Sequence, residues 1–296
     1  MIYTIIVTYN GEKWIERCLR SLNDSLSEVS IIVIDNASKD DTCTIVRDGF
    51  PDVELITLQS NYGFGQANNI GIERAVKAGA DFVFLLNQDT IIYNDTIYNL
   101  LSVFNGAPHD IGILSPMHLN DSGTALDNKF ETYITAKTCP GYISDVTLGN
   151  LKPYYYMGFV NAAAWLIKTE VLKKTGMFSD AFFHYGEDSN FLQRLRFHGY
   201  KCAIVPAAYI HHFREERKGQ FTKEHIKKEA GITFKIIILN VNKSYSGAYK
   251  DIFKYALHHL SKGNPGLFIK LLFTPFLKIR TLKKIRNSYK HVSAGQ

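Results

Sequence analysis

The 296-residue chain reads as an α/β protein with a mostly parallel central sheet flanked by helices and a basic helical C-terminal extension. Three observations predict this. Short β-rich runs alternate with stretches of helical periodicity from Tyr3 to Leu86. The second run, Ser30–Ile34, is apolar on both faces, as a strand inside a parallel sheet must be. Charge also divides along the chain: residues 1–212 hold 16 basic and 23 acidic side chains, whereas residues 213–296 hold 18 and 5. An acidic body of net −7 therefore carries a tail of net +13, within an overall +6.

Tyr3–Thr8 is the first strand, closed by a polar turn at Asn10-Gly11. Trp14, Ile15, Cys18, Leu19 and Leu22 then recur at helical spacing. Ser30–Ile34 runs into the polar segment Asp35 to Thr42, which opens a helix through Ile45 and Val46. Val53–Leu58 is a third strand, Gln66–Ala78 a helix and Phe82–Leu86 a fourth strand. Beyond residue 90 the pattern loosens. Residues 118–155, rich in Thr, Asn, Asp and Gly, read as long loops or a mixed sheet edge. Ala162–Ile167 is a further strand, Ser189–His198 a helix stopped by Gly199, and Cys202–Val205 a last short strand before Pro206. From about Phe221 onward the text is helical and basic.

Composition excludes several classes. At 46% hydrophobic and 13% aromatic residues, the chain buries a sizeable core and is not disordered. Cys18, Cys43, Cys139 and Cys202 lie far apart with no CxxC pair, which argues against a disulfide framework or zinc ribbon and for a reducing cytosol. The N-terminus enters a strand directly, so no secretory signal is expected. The longest apolar run, Gly266–Ile279, is broken by Lys270 and Pro275, so a soluble or peripheral protein is expected.

Ligands of open parallel sheets bind outside the carboxyl ends of the strands, and polar clusters fall there. Thr8-Tyr9-Asn10 follows the first strand, Asp35-Asn36 the second, Asn61-Tyr62-Gly63-Phe64-Gly65 the third and Asn87-Gln88-Asp89 the fourth. Each alone is explained by turn chemistry. Four in succession at one sheet edge point to a ligand site. Asp35 suits a base or ribose, Tyr9 offers a flat face, Gly63 and Gly65 permit close backbone approach, and Asp89 is placed as a metal ligand. A nucleotide diphosphate in an acidic pocket needs a divalent cation, Mg²⁺ or Mn²⁺. The dinucleotide fingerprint GxGxxG fails, because the Gly63-Phe64-Gly65 run follows the wrong strand. Glu187-Asp188, among aromatic neighbours at a helix N-terminus, reads either as a helix-dipole partner or as a base with a raised pKa. His211-His212 is either a plain surface pair or the completion of a metal site begun by Asp89.

Together these motifs, with Asn61-x-Gly-Phe-Gly-x-Ala-x-Asn-x-Gly71, Gly158-x-x-x-Ala-Ala-x-x-Leu-Ile and Tyr185-Gly-Glu187-Asp188, resemble family 2 inverting glycosyltransferases with a GT-A fold, closest in look to bacterial rhamnosyltransferase-like members. The resemblance covers roughly residues 1–212. It implies that Thr8, Tyr9, Asn10 and Asp35 hold the base and ribose of a UDP- or dTDP-sugar, and that Asn61, Gly65 and Asn69 shape the wall beside the diphosphate. Asn87-Gln88-Asp89 takes the place of the family's DxD motif, so Asp89 would bind the cation, with His211 as a further ligand and His212 as the fallback. Asn87 in place of the first Asp removes one negative charge and implies weaker metal binding, greater reliance on His211, or a metal-independent site. Asp188 would be the catalytic base, with Glu187 beside it. The implied function is transfer of a hexosyl unit, with rhamnosyl among the candidates, to a glycan or polyprenyl-linked acceptor at the inner face of the cytoplasmic membrane. A sugar nucleotidyltransferase and a non-catalytic carbohydrate-binding subunit are the alternatives. The first lacks its Gly-rich basic loop after the first strand.

Residues 1–212 are thus expected to form the nucleotide-sugar-binding catalytic domain, and 213–296 a basic helical region. On a helical plot of Gly266–Ser288, Lys270, Thr274, Lys278, Thr281, Lys284 and Ser288 form one stripe beside a wide apolar face. Such a helix, kinked by Pro275, suits an anionic membrane interface; packing on the body or against a second copy would hide the face equally well. No nucleic-acid-binding motif accompanies the charge.

Overall fold

A computed structural model describes residues 1–214 and 222–291. The chain runs β1 (Ile2–Thr8), α1 (Ile15–Asn23), β2 (Ser30–Asp35), α2 (Thr42–Gly49), β3 (Glu54–Thr57), α3 (Gly63–Lys77), β4 (Phe82–Asn87), β5 (Thr90–Ile92), α4 (Thr96–Gly106) and β6 (Ile111–Leu119). It continues through the short helices α5 (Asn128–Glu131) and α6 (Tyr142–Thr147), then β7 (Tyr155–Met157), β8 (Ala164–Lys168), α7 (Thr169–Thr175), α8 (Glu187–Phe197) and β9 (Lys201–His212). Four helices follow: α9 (Lys223–Ile238), α10 (Tyr245–Ser261), α11 (Pro265–Leu277) and α12 (Ile279–Ser288).

One sheet has the order β3-β2-β1-β4-β8-β6-β9-β5, with β7 paired to β9. β1 is parallel to both β2 and β4, β2 to β3, and β6 to β9; β8 runs antiparallel between β4 and β6. Side chains alternate across each strand. Ile5, Val83 and Leu85 enter a core with α3 and α8, while Ile6, Phe84 and Leu86 enter a second core with α1, α2 and α4. The result is three layers, helix on sheet on helix. A third cluster, built on Phe182, Phe234, Ile252 and Leu271, joins the C-terminal helices to the loop before α8.

Two strand readings change. β6 carries no strand pattern in the sequence, because Gly112, Ser115, Pro116 and His118 interrupt its apolar run, although eight of its nine residues are buried. β9 does not stop at Val205 but continues to His212. Its register with β6 shifts between Pro116 and Met117, so Pro206 falls in an irregularity where its missing N–H breaks no ladder bond. The tail helix likewise passes through Pro275 and breaks at Lys278, separating α11 from α12.

Candidate active site

The parallel registers bring Thr8 beside Asp35 and Val7 beside Asn87, so three strands deliver their polar ends to one edge. Gln88 spans the gap. Its Oε1 accepts from the Thr8 hydroxyl at 2.5 Å and from the Tyr9 N–H at 3.0 Å, and its Nε2 donates to the Tyr9 carbonyl at 3.4 Å. The Tyr9 ring is exposed at this edge. Asp35 is buried. One carboxylate oxygen accepts from the Ser38 N–H at 3.1 Å, while Oδ1 is buried with no protein hydrogen bond, the state a ligand N–H or O–H would satisfy. Asn10 serves the chain instead: its Oδ1 accepts from the Lys39 N–H at 2.9 Å and its own N–H donates to Ser38 Oγ. Asn10 therefore braces the loop that follows β2.

The segment after β3 corrects two expectations about the donor wall. Gly63 and Gly65 lie inside the first turn of α3 rather than in a loop, and they admit the protein's own chain. Gly63 has φ 79°, and a Cβ there would stand 1.9 Å from the Phe183 carbonyl oxygen; the Phe64 N–H donates to that same oxygen. Gly65 abuts Phe178. Asn69 is tied to Phe178 at both ends of its amide: its Nδ2 donates to the carbonyl at 2.8 Å and its Oδ1 accepts from the N–H at 2.9 Å. Gly65 and Asn69 thus fasten the α7–α8 connection to α3. Asn61 Oδ1 accepts from Gly63 N–H and from Asn36 Nδ2, and Asn36 Oδ1 accepts from the Tyr62 N–H. The buried Asn36 is the organising residue of this loop.

Asn87, Gln88 and Asp89 are half-buried in a turn that Thr90 closes by donating to the Asn87 carbonyl at 2.6 Å. β5 then pairs with β9, setting Thr90 opposite His212 and Ile91 opposite His211. Adjacent strand residues point to opposite faces, so only one histidine reaches Asp89. It is His212, whose Nε2 lies 3.6 Å from Asp89 Oδ1. His211, the ligand expected first, faces away, stacked on Tyr93 and hydrogen-bonded through Nδ1 to the Asn120 carbonyl. Burial holds the His212 pKa below its ordinary value against the opposing pull of Asp89, so the ring is a neutral imidazole at pH 7. Among the described residues no group of three or more His, Cys, Asp or Glu side chains gathers as metal ligands. One carboxylate and one neutral imidazole nonetheless fit a divalent cation whose other ligands come from a phosphate-bearing donor.

The second carboxylate cluster starts α8. Tyr185 (φ 70°) and Gly186 (φ 93°) are both left-handed, turning the chain so that Glu187 and Asp188 form the first helical turn. A side chain at Gly186 would meet Ile232 of α9 and the Phe182 ring, each at 2.9 Å, so the C-terminal helices buttress this turn. Glu187 is buried, its Oε2 has no protein hydrogen bond, and burial followed by the charge of Asp188 pushes its carboxyl up to about 7. Burial raises Asp188 to about 6 against the Ser189 N–H, which it accepts at 2.6 Å. These are carboxylates poised to exchange a proton near neutral pH.

Sequence reasoning passed over Asp127, Tyr133 and Arg214. Asp127 caps α5 with one oxygen, and with the other accepts from Arg214 Nε at 2.7 Å, tying the 118–155 segment to the exit of β9. Burial raises the Tyr133 hydroxyl to about 12, and it lies within the fields of Arg214, Asp188 and Asp127. Only the position of Arg214, two residues after His212, hinted at this. The carboxylates at the start of α8 and the β9 exit therefore share one electrostatic surround.

The sequence profile of glycosyl transferase family 2 matches residues 3–176. The N-acetylglucosaminyl-diphospho-decaprenol L-rhamnosyltransferase of Mycobacterium tuberculosis is 25% identical over 250 residues, spanning 75% of this chain and 79% of that protein. TarS of S. aureus, solved with UDP-GlcNAc, superposes with a TM-score of 0.60 at 17% identity, covering 98% of this chain and 91% of that one. A mannosyltransferase from Pyrobaculum calidifontis, in complex with GDP-Man and Mn²⁺, gives 0.60 at 15% identity, covering 97% and 84%. At such identities the structural likeness shows the fold, which is the expected GT-A arrangement.

Proposed function

This chain belongs to glycosyl transferase family 2, and on that premise we propose that it is an inverting hexosyltransferase. It takes a sugar, rhamnosyl in our reading, from a uridine or thymidine diphosphate donor. It passes the sugar to a hydroxyl of a glycan or polyprenyl-linked glycan during surface polysaccharide synthesis, at the inner face of the cytoplasmic membrane. The named activity of the mycobacterial relative supports the rhamnosyl donor and the lipid-linked acceptor. No described helix is long and apolar enough to cross a membrane.

The observation that carries the reading is Asp188, a half-buried carboxylate raised to about 6 and fixed at the start of α8. As the acceptor oxygen bonds to the anomeric carbon, Asp188 takes the hydroxyl proton. The bond from that carbon to the nucleoside diphosphate oxygen breaks on the opposite face, which inverts the configuration. Thr8, Gln88 and Tyr9 frame the nucleotide, and the unpartnered Asp35 Oδ1 accepts a hydrogen bond from its base or ribose. Asp89 and His212 would hold Mg²⁺ or Mn²⁺, which supplies positive charge to a departing diphosphate. Arg214, held on Asp127, keeps the 118–155 segment against this edge.

The test is to incubate the full chain with a panel of nucleotide sugars and a lipid-pyrophosphate glycan acceptor, following released nucleoside diphosphate and product configuration by NMR. One hexose donor is expected to be consumed, with inverted configuration at the transferred sugar. Retained configuration, or no binding of any nucleotide sugar, overturns the proposal.

A further inference from the structure

We propose that the α10–α11 hairpin is a docking surface for anionic lipid bilayer, holding the active site over the membrane. This rests on the lipid-linked acceptor proposed above and identifies the face that meets the lipid. Each helix has two apolar rows, and only one is used internally. α10 buries Ala248, Ile252 and Ala256, while α11 buries Leu267, Leu271 and Pro275. The other row of α10, Phe253, Leu257 and Leu260, and that of α11, Ile269, Phe273, Phe276 and Leu277, are between 41% and 84% exposed. Spacings of three and four place each row on one helical face.

The rows adjoin. Tyr249, one turn before Phe253 on α10, meets the Phe276 ring at 5.1 Å, and its hydroxyl donates to the Leu272 carbonyl at 3.3 Å. The two helices therefore run antiparallel with their exposed rows side by side.

Charge selects the occupant. Lys250 and Lys254 lie about 100° around α10 from Tyr249 and Phe253, and Lys270 lies the same angle around α11 from Ile269; all three are exposed. From Tyr245 to His291 the chain has ten Lys and Arg and one acidic residue, Asp251, itself paired with Lys243. An apolar ridge bordered by cations matches a surface with an apolar interior and anionic headgroups. Two copies meeting through this face would bring like charges together. The hairpin also continues the cluster that packs on Phe182, beside the turn that presents Asp188, so docking would set the height of the catalytic turn above lipid.

The experiment floats the full chain with vesicles of phosphatidylcholine containing phosphatidylglycerol, and with phosphatidylcholine alone. The wild type is compared with the triple variant Ile269→Ser, Phe273→Ser, Leu277→Ser. Binding of nucleoside diphosphate and the melting temperature are measured on the same samples. Wild type is expected to float with anionic vesicles and to need at least tenfold more lipid when they are neutral. The variant is expected to lose at least tenfold in lipid binding while keeping its melting temperature and nucleotide affinity. Wild type that binds nucleotide but does not float, or a folded variant that floats as wild type does, overturns the docking surface and leaves the transferase reading intact. A stable dimer that the triple variant dissolves, without lipid binding by either protein, also overturns it. Flotation as expected without nucleotide binding would instead sink the transferase reading.

Discussion

Replacing Glu187 by Gln should stabilise the protein at alkaline pH, and the size of the effect follows from the site. Glu187 is buried with Oε2 unpartnered, and its carboxyl is raised from an ordinary 4.5 to about 7. Between those values the folded chain holds a proton that the unfolded chain has released. Stability therefore falls as pH rises from about 4.5 to about 7 and stays reduced above that window. At about 1.4 kcal/mol per pH unit, the shift corresponds to roughly 3 kcal/mol. Gln is neutral at every pH and close in shape, so the variant should escape most of this cost. At pH 8 it should be more stable by about 1–3 kcal/mol, or roughly 2–8 °C in Tm for a chain of this size. At pH 4 the two proteins should lie within about 0.5 kcal/mol, since Glu187 is then protonated in both states. Differential scanning calorimetry at pH 4, 6 and 8 checks this. A variant no more stable than wild type at pH 8, or equally stabilised at all three values, would refute the claim that Glu187 is a destabilising buried charge.

Two further outcomes are expected. Because Asp188 must be ionised to take a proton and its carboxyl is raised to about 6, kcat/KM for transfer should rise about tenfold per pH unit below 6 and level off above it; a profile flat from pH 4.5 to 8 would remove Asp188 from that role. His212→Ala should weaken Mn²⁺-dependent nucleoside diphosphate binding by about 10–100-fold, whereas His211→Ala should change it less than about twofold. Calorimetric titration with and without Mn²⁺ separates the two, and the reverse ranking would show that the strand alternation has been misassigned.

The body of the fold was legible where strands are continuous apolar runs and helices are periodic, as in β1, β2, β4 and α8. It was illegible where burial does not depend on apolarity. β6 is interior with Ser115, Pro116 and His118 in its middle, and β9 carries Pro206 through a register shift. The site shows the same division. Which residues stand at strand ends follows from local sequence, so the placement of Thr8, Asp35 and Asp89 at one sheet edge was legible. Which way a side chain points depends on pairings far along the chain. β5 against β9 turns His212, not His211, toward Asp89, and Phe178, 109 residues away, occupies both ends of the Asn69 amide. Glycines were misread for a related reason. Close approach was expected to admit a ligand, but at Gly63 it admits the Phe183 carbonyl.

The most direct measurement is a comparison of Asp188→Asn with wild type at pH 7.5, recording sugar transfer and donor affinity on the same protein. Loss of one general base should lower kcat by about 10²–10⁴-fold, with donor binding within about threefold of wild type. Transfer at near-wild-type rate by a folded variant that still binds the donor would contradict the assignment of Asp188 as the base.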